Sequence, residues 1–296
     1  MKIACFVEAY NFRDSSENRA LLKFKSTAEL MGHSFEFIFK DDISKIQDYD
    51  ALFIRATTDP GSSAYIVSRL AEQSGIKVID DPHSIRTCSN KAILHDLFLK
   101  NNIPSPKSIL FYGDYAAGTL DMIFKTLGFP VIIKTPYTRF SSHVEKANNE
   151  TEFIDLTKHL LRKAKVLVLQ EYIKSDFDWR VGILRNEVLY LCKYCIPKGG
   201  WKVKSKISGR NVWGDTIALP RESIAPELKD ISISLSKCVG NGRFRGHGHL
   251  RKNNQCSGII ISWKGAAHHP RSCNNCRVFC PQQNPLMHKD SGRVCY

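Results

Sequence analysis

The stretch VIIKTP ends a β-branched apolar run on Lys134. A buried ammonium is costly unless an anion meets it, so Lys134 either leaves its strand into solvent or reaches a ligand phosphate. LQEYI shows a second pattern, an apolar strand leaving through Gln170, Glu171 and Tyr172. Such an edge can read a purine through backbone groups, with Glu171 accepting from an exocyclic amine, and an ordinary polar strand end has the same pattern. In DFDWRVGIL, Asp178 and Arg180 lie two residues apart and share one face of a strand, as a structural ion pair or as a ligand-binding pair. LCKYCIPKGGWKVK then gathers Lys193, Lys198, Lys202 and Lys204 around Gly199, Gly200 and Trp201. A flexible basic loop of this kind clamps a phosphate or an acidic substrate, or else it is a set of solvated lysines.

Apolar runs alternating with helix-period stretches place these residues on an α/β scaffold. Ile3 to Tyr10 reads as a strand, and Asp14, Ser15 and Ser16 are N-cap types before a helix reaching Met31. SFEFIFK and DALFIRA follow as strands, then a helix from Ser63 to Glu72, then GIKVID, giving a small open α/β domain over residues 1–80. Next, DDPHSIRTCSNKAILHDLFLKNNIPSPKS carries Ile93, Leu94, Leu97 and Phe98 on one helical face and is stopped by Pro104 and Pro106. SILFYG, a helix over Leu120 to Leu127, FPVIIKTP, a polar loop YTRFSSHVEKANNE and a helix ending near Lys163 continue the chain. KVLVLQEYI, DWRVGILR and EVLYLCKY are three strands, with Arg185 and Asn186 as a tight antiparallel turn. Pro226 opens a last helix, and regular order is legible to about Val239, so the second domain spans residues 81–240.

The net charge of +14 suggests polyanionic partners, but nine Lys/Arg against one acid, Asp290, stand between Arg243 and Tyr296. The basicity therefore belongs mostly to the tail, which weighs against nucleic acid as the main partner. Five of the ten cysteines (Cys256, Cys273, Cys276, Cys280 and Cys295) also fall there. The other five show no framework spacing, which suits a reduced cytoplasmic compartment. The start reads as a strand rather than a signal peptide, and no apolar run approaches the length of a bilayer span, so no membrane partner is expected.

Taken in order, a lysine at a helix start (Lys91), a strand-end lysine (Lys134), a polar loop, a strand ending QEYI and an Asp-x-Arg strand form a rare succession. Through DDPHSIRTCSNK, VIIKTP, QEYI, FDWRVGIL and LCKY, the chain resembles the ATP-grasp superfamily over residues 50–240, specifically the RimK-like α-L-glutamate ligases and their glutathione-synthetase relatives. The resemblance implies a pre-ATP-grasp domain followed by two α+β lobes with ATP between them. It implies that Lys91 and Lys134 contact ATP phosphates, with Ser141 and Ser142 as donors in the phosphate-covering loop. Gln170, Glu171, Tyr172 and Ile173 are implied as the adenine hinge and Asp178 as a ribose ligand. Arg180 and Lys193 are implied near the triphosphate or acyl phosphate. Lys198 and Trp201 would admit a carboxylate substrate, and Arg55 of RATTDPGSSAY is a candidate substrate contact. The implied reaction activates a carboxylate with ATP and joins it to the amine of a glutamate-like amino acid, the other partner being a peptide or protein. A homo-oligomer is also in keeping with the resemblance.

The chain departs from this pattern twice. The phosphate-covering loop TPYTRFSSHVEKA has no glycine. After the final helix, the Gly-x-Asp strand and Glu-Val-Asn-x-Asn-Pro stretch that hold Mg²⁺ in the family give way to GRFRGHGHLRKNNQCSGIIISW, so no metal ligands are assigned. Residues 241–296 are thus expected not to fold natively, the ATP-grasp domain being incomplete and its ligase activity impaired. A reading-frame change or read-through past a splice junction accounts for the shift. A zinc element built on Cys273, Cys276 and Cys280 with His268 and His269, an RNA-binding module, and a divergent terminus are the other readings. A catalytically inactive ATP-binding module is the alternative for the body of the chain.

Overall fold

The computed structural model describes residues 1–13, 15–137, 143–240, 246–253 and 256–260. The first unit contains β1 (Lys2–Phe6), α1 (Ser15–Leu30), β2 (Ser34–Ile38), β3 (Ala51–Ile54), α2 (Ser63–Gln73) and β4 (Lys77–Ile79). Its strands run parallel in the order β2-β1-β3-β4. Because helices cover both faces, alternate residues of one strand enter different cores. Ala4, Phe6, Leu52 and Ile54 pack on Ala64, Val67 and Ala71 of α2, while Cys5, Val7 and Phe35 meet Leu21 and Ala28 of α1. Ser62 caps α2 by accepting from the Tyr65 N–H at 3.2 Å. Helix α1 begins at Ser15, as its cap-type residues suggest, while Asp14 lies outside the described residues.

The stretch opening at residue 81 forms two helices, the second starting at Lys91 as the sequence suggests. Asp81 caps α3 (Pro82–Ser89), and Asn90 ends it and caps α4 (Lys91–Lys100), accepting from the Ala92 and Ile93 N–H groups at 2.9 and 3.2 Å. There follow β5 (Ser108–Phe111), α5 (Ala117–Leu127), β6 (Val131–Lys134), β7 (Val144–Ala147), α6 (Glu150–Leu161) and β8 (Leu167–Glu171). These strands make an antiparallel sheet, β5-β8-β6-β7. Val131, Ile133, Leu167 and Leu169 turn one face onto Leu120, Ile123, Phe153 and Leu160 of the helices. The even-numbered partners Ile132, Lys134, Gln170 and Ser108 therefore share the other face. Strand β7 corrects the sequence reading, which left VEKA inside a polar loop. With two charged residues among four it carries little strand signal, and pairing with β6 supplies the order that propensity does not.

The third part contains β9 (Phe177–Leu184), β10 (Glu187–Cys195), β11 (Lys204–Ile207), β12 (Arg210–Trp213), β13 (Thr216–Leu219), α7 (Pro226–Gly240), β14 (Gly246–Asn253) and β15 (Cys256–Ile260). The antiparallel β9–β10 hairpin turns through Arg185 and Asn186, both left-handed at φ 53° and 61°, as the sequence suggests. Its sheet has the order β13-β10-β9-β14-β15. Val181, Ile183 and Leu191 pack on Leu94, Phe98, Leu228, Leu235 and Val239 from α4 and α7. The basic stretch after β10 is more ordered than a flexible loop, since it feeds the β11–β12 hairpin.

The boundary expected at residue 240 cuts through this sheet. Backbone pairing places Gly246 opposite Ile183, Gly248 opposite Val181 and Leu250 opposite Trp179, and β15 pairs in turn with β14. The edge of β9 offers unsatisfied backbone donors and acceptors that a strand of almost any composition can fill, so glycine and basic residues did not advertise it. Residues 261–296, which include His268, His269, Cys273, Cys276 and Cys280, lie outside the described residues.

Gly214 closes the turn into β13 under a steric constraint. Its N–H donates to the Val203 carbonyl at 2.9 Å, and an added Cβ would overlap the Cys195 carbonyl backbone. Backbone cannot swing aside as a side-chain tip can, so Gly214→Ala is expected to lower stability by about 1–3 kcal/mol, read as a lower midpoint in urea unfolding.

Candidate functional site

Helix α4 begins on Lys91, and its first turn is fastened to the exit of β6. The Lys91 backbone N–H donates to the Pro136 carbonyl at 3.0 Å, its Nζ approaches the same oxygen at 3.5 Å, and Asn90 forms a β-bridge with Tyr137. Burial pushes the Lys91 ammonium down to about 8. Lys134 does not run out into solvent. Its Nζ donates to Gln170 Oε1 at 2.5 Å, while Gln170 Nε2 donates to Ser108 Oγ at 2.8 Å, so three strands are linked across the face turned away from α5 and α6.

A third amine reaches the same place from the segment after β10. Lys202 Nζ donates to the Val144 carbonyl at 2.8 Å, and Val144 is the register partner of Lys134. Burial pushes Lys202 below its usual range, with Lys204 adding to that effect and Glu145 opposing it. Two residues along β7, Lys146 Nζ lies 5.2 Å from the Tyr172 ring centroid and 5.8 Å from that of Trp201, whose ring also has Lys202 Nζ at 4.7 Å. Lys91, Lys134 and Lys202 are thus all carried to the same end of the β6–β7 pair, with a cation-aromatic cluster beside them. Partly desolvated amines of this density favour an anionic ligand, and phosphate oxygens fit them.

The hinge candidates divide. Glu171 Oε1 accepts from the Lys107 N–H at 2.7 Å while the Glu171 N–H donates to the Lys107 carbonyl, so its carboxylate pins β8 to the entry of β5. Ile173 is buried, and Tyr172 is half-buried against Lys146. Asp178 is buried on β9 opposite Tyr194. Arg180 donates through Nη1 to the Tyr194 hydroxyl, and its guanidinium lies 4.1 Å from that ring's centroid. Tyr194, Lys146 and the role of Ser108 were missed in the sequence because nothing local distinguishes them; strand register brings them in.

Register also separates Arg180 from Lys193. Arg180 is opposite Cys192, whereas Lys193 is opposite Trp179, and neighbouring residues of a strand point to opposite faces. Lys193 Nζ lies 4.6 and 5.0 Å from the Phe177 and Trp179 centroids, on the side packed by helices. Both residues are expected from the resemblance near the triphosphate or acyl phosphate, and in the sheet they lie on opposite faces. Lys193→Ala is expected to leave nucleotide affinity within about twofold, with a loss of about 1 kcal/mol of stability from the cation-aromatic contacts; parallel titration and unfolding measurements check both.

Arg55 is likewise drawn inward. Its Nη2 lies 3.7 Å from Glu17 Oε1, the same oxygen takes a 2.8 Å hydrogen bond from Asn11 Nδ2, and the guanidinium sits near the Phe24 and Phe53 rings. A buried carboxylate partner, not a substrate, holds it. Lys198 is exposed and Trp201 is half-buried, while Ser141 and Ser142 lie outside the described residues.

The described residues do not fit a Mg²⁺ site of the kind the resemblance implies. Among the described residues no three His, Cys, Asp or Glu side chains gather in a way that could hold a metal ion. GHGHLRKN on β14 and CSGII on β15 bring no carboxylate to the edge of β9.

Residues 88–203 match the RimK-like ATP-grasp domain, a span running from the end of α3 to just past Lys202. The chain carries a RimK-like ATP-grasp domain. It is 26% identical over 220 residues to the alpha-aminoadipate–LysW ligase LysX of Saccharolobus solfataricus, covering 72% of this chain and 74% of that one. It is 28% identical over 193 residues to the coenzyme gamma-F420-2:alpha-L-glutamate ligase of Methanococcus maripaludis, covering 62% of this chain and 61% of the relative. The fold matches a RimK domain ATP-grasp protein from Sphaerobacter thermophilus with a TM-score of 0.64 at 12% identity, over 91% of this chain and 92% of that one. The RimK-like span contains Lys91, Lys134, Lys146 and Lys202, so these amines of the cationic site lie within the matched domain. Among the described residues, no helix is long and apolar enough to cross a membrane.

Proposed function

We propose that the RimK-like domain binds ATP against the face of the β5-β8-β6-β7 sheet turned away from α5 and α6 and follows the plan of an ATP-dependent carboxylate-amine ligase. The convergence of Lys91, Lys134 and Lys202 at the β6–β7 end carries this reading. In this reading the amines would meet phosphate oxygens, Gln170 to Ile173 would border the base, and Asp178 would take a ribose hydroxyl. In the reaction of this class, a carboxylate oxygen takes the γ-phosphoryl group, giving an acyl phosphate and ADP. An amine then attacks the acyl carbon, expelling phosphate and losing a proton as the amide forms. Ammonium groups held in place before reaction suit the charge shared among the phosphoryl oxygens.

The relatives' names include α-aminoadipate and L-glutamate, which supports an acidic amino acid as one substrate; we take it as the amine donor, with a peptide or protein as the other partner. Exposed Lys198 and half-buried Lys204 supply a basic approach for such a substrate. In the family the group that accompanies ATP is Mg²⁺, which shields phosphate charge when bound; the lack of a gathered carboxylate set among the described residues predicts weak turnover. Titration of ATP into the 296-residue protein tests the binding half of the reading. Release of ADP with glutamate or α-aminoadipate and an acceptor peptide tests the reaction. Measurable ATP binding with ADP release near background is expected, while rapid Mg²⁺-dependent release would remove the assigned impairment.

A further inference from the structure

We infer that this site takes ATP as its metal-free anion, with lysine amines standing where a carboxylate-held cation would otherwise meet the phosphates. The inference rests on the nucleotide reading above and concerns which charged form of the nucleotide the site selects.

Two independent features support it. The first is the concentration of positive charge at one end of β6–β7. Lys91 Nζ lies 3.5 Å from the Pro136 carbonyl, Lys202 Nζ 2.8 Å from that of Val144, and Lys134 is the register partner of Val144. Lys146 lies two residues further along β7, held at the Tyr172 and Trp201 rings. Burial lowers both Lys91 and Lys202, and the Glu145 carboxylate does not reverse this at Lys202, so the cluster gains from an added anion.

The second feature is the edge strand. Antiparallel register puts His247 opposite Gly182 and His249 opposite Arg180, so these two positions of β14 share a sheet face with Arg180 and Asp178. Arg251 and Lys252 come next in the strand, and β14 and β15 contain no Asp or Glu. The carboxylates around the cluster are already engaged: the Lys107 N–H donates to Glu171, Glu145 acts on Lys202, and Glu152, which takes hydrogen bonds from Asn148, interacts with Lys146. No trio of donors gathers among the described residues. A divalent cation brought in on the nucleotide would therefore meet the Lys91, Lys134 and Lys202 ammonium groups with no gathered carboxylate set among the described residues to hold it. The fully ionised triphosphate gains from the same groups that Mg²⁺ would oppose.

The test is a pair of ATP titrations into the full chain at one ionic strength, one with EDTA and one with Mg²⁺ in excess over ATP. ATP is expected to bind in EDTA and to bind at least about threefold more weakly when saturated with Mg²⁺. Tighter binding with Mg²⁺ overturns the inference and leaves the nucleotide site standing. No binding in either buffer overturns the nucleotide reading and the inference together. Lys202→Met in EDTA is expected to weaken ATP at least about tenfold, with Lys202→Arg restoring most of the affinity. If Lys202→Met binds metal-free ATP like the parent, amines are not replacing the cation and the inference falls.

Discussion

Lys91→Met is expected to make the protein more stable and its nucleotide site far weaker. The two effects share one cause. Lys91 sits at the N-terminus of α4, where the helix dipole also disfavours a cation, and burial alone has moved it to about 8 from an ordinary 10.5. Its folded-state value lies below the unfolded one, so holding the proton costs stability. That cost is complete below pH 8, where both states are protonated, and is relieved as pH rises from 8 towards 10.5, where the folded protein sheds the proton first. At neutral pH it amounts to about 3 kcal/mol, which methionine would remove while keeping most of the side chain's bulk. The melting temperature should therefore rise, and the gain over the parent should shrink above pH 8.

Affinity should move in the opposite sense. An ammonium on a phosphate oxygen is worth about 1.5–3 kcal/mol, so Lys91→Met or Lys134→Met should each weaken ATP by about 10- to 100-fold. For the parent, ATP affinity should fall as pH climbs through 8, since only protonated Lys91 attracts phosphate, and Lys91→Met should flatten that slope. Titrations at pH 7 and pH 9 beside thermal unfolding decide the matter. Loss of both stability and affinity in Lys91→Met would show Lys91 to be a structural residue of the α4–β6 junction.

Much of the scaffold was legible because its patterns are local. The alternation of apolar strands and capped helices from Ile3 to Lys134 specifies where chains must be buried, and the Arg185–Asn186 turn specifies a hairpin. The site was legible in type: Lys134 on a strand end, Asp178 and Arg180 two apart, Gln170 at an apolar strand's exit. What could not be read was register. Whether Lys193 joins Arg180 depends on which residue of β9 lies opposite it, and Trp179 does. Arg55 looked available because Glu17, thirty-eight residues earlier, is brought to it only by packing of α1 on the sheet. Lys202 reached the site by crossing to Val144, a residue the sequence had left in a loop. Local composition also concealed β14, whose order comes from the edge it covers.

That edge gives the second large expectation, a sharp difference between two truncations. A chain ending at residue 240 keeps every element that the sequence pattern announces, including α7. It nevertheless strips β9 of a neighbour matched at Gly246↔Ile183, His247↔Gly182, Gly248↔Val181, His249↔Arg180 and Leu250↔Trp179. Val181 and Ile183 lie in the core beneath α4 and α7, so the exposed backbone would border a buried apolar surface. Five paired positions carry about five backbone hydrogen bonds in an antiparallel ladder, each worth roughly 0.5–1.5 kcal/mol net, so about 3–7 kcal/mol is at stake. This is comparable with the whole stability of many domains. A chain ending at residue 260 retains β14 and its cover β15, and should unfold within about 1 kcal/mol of the full chain. The 240-residue form should aggregate or unfold at far lower urea concentration, because an open central strand pairs with another copy of itself. Equal unfolding midpoints for the two truncations would mean that residues 246–260 contribute nothing to the sheet, and that an out-of-frame tail is the right account of everything after α7.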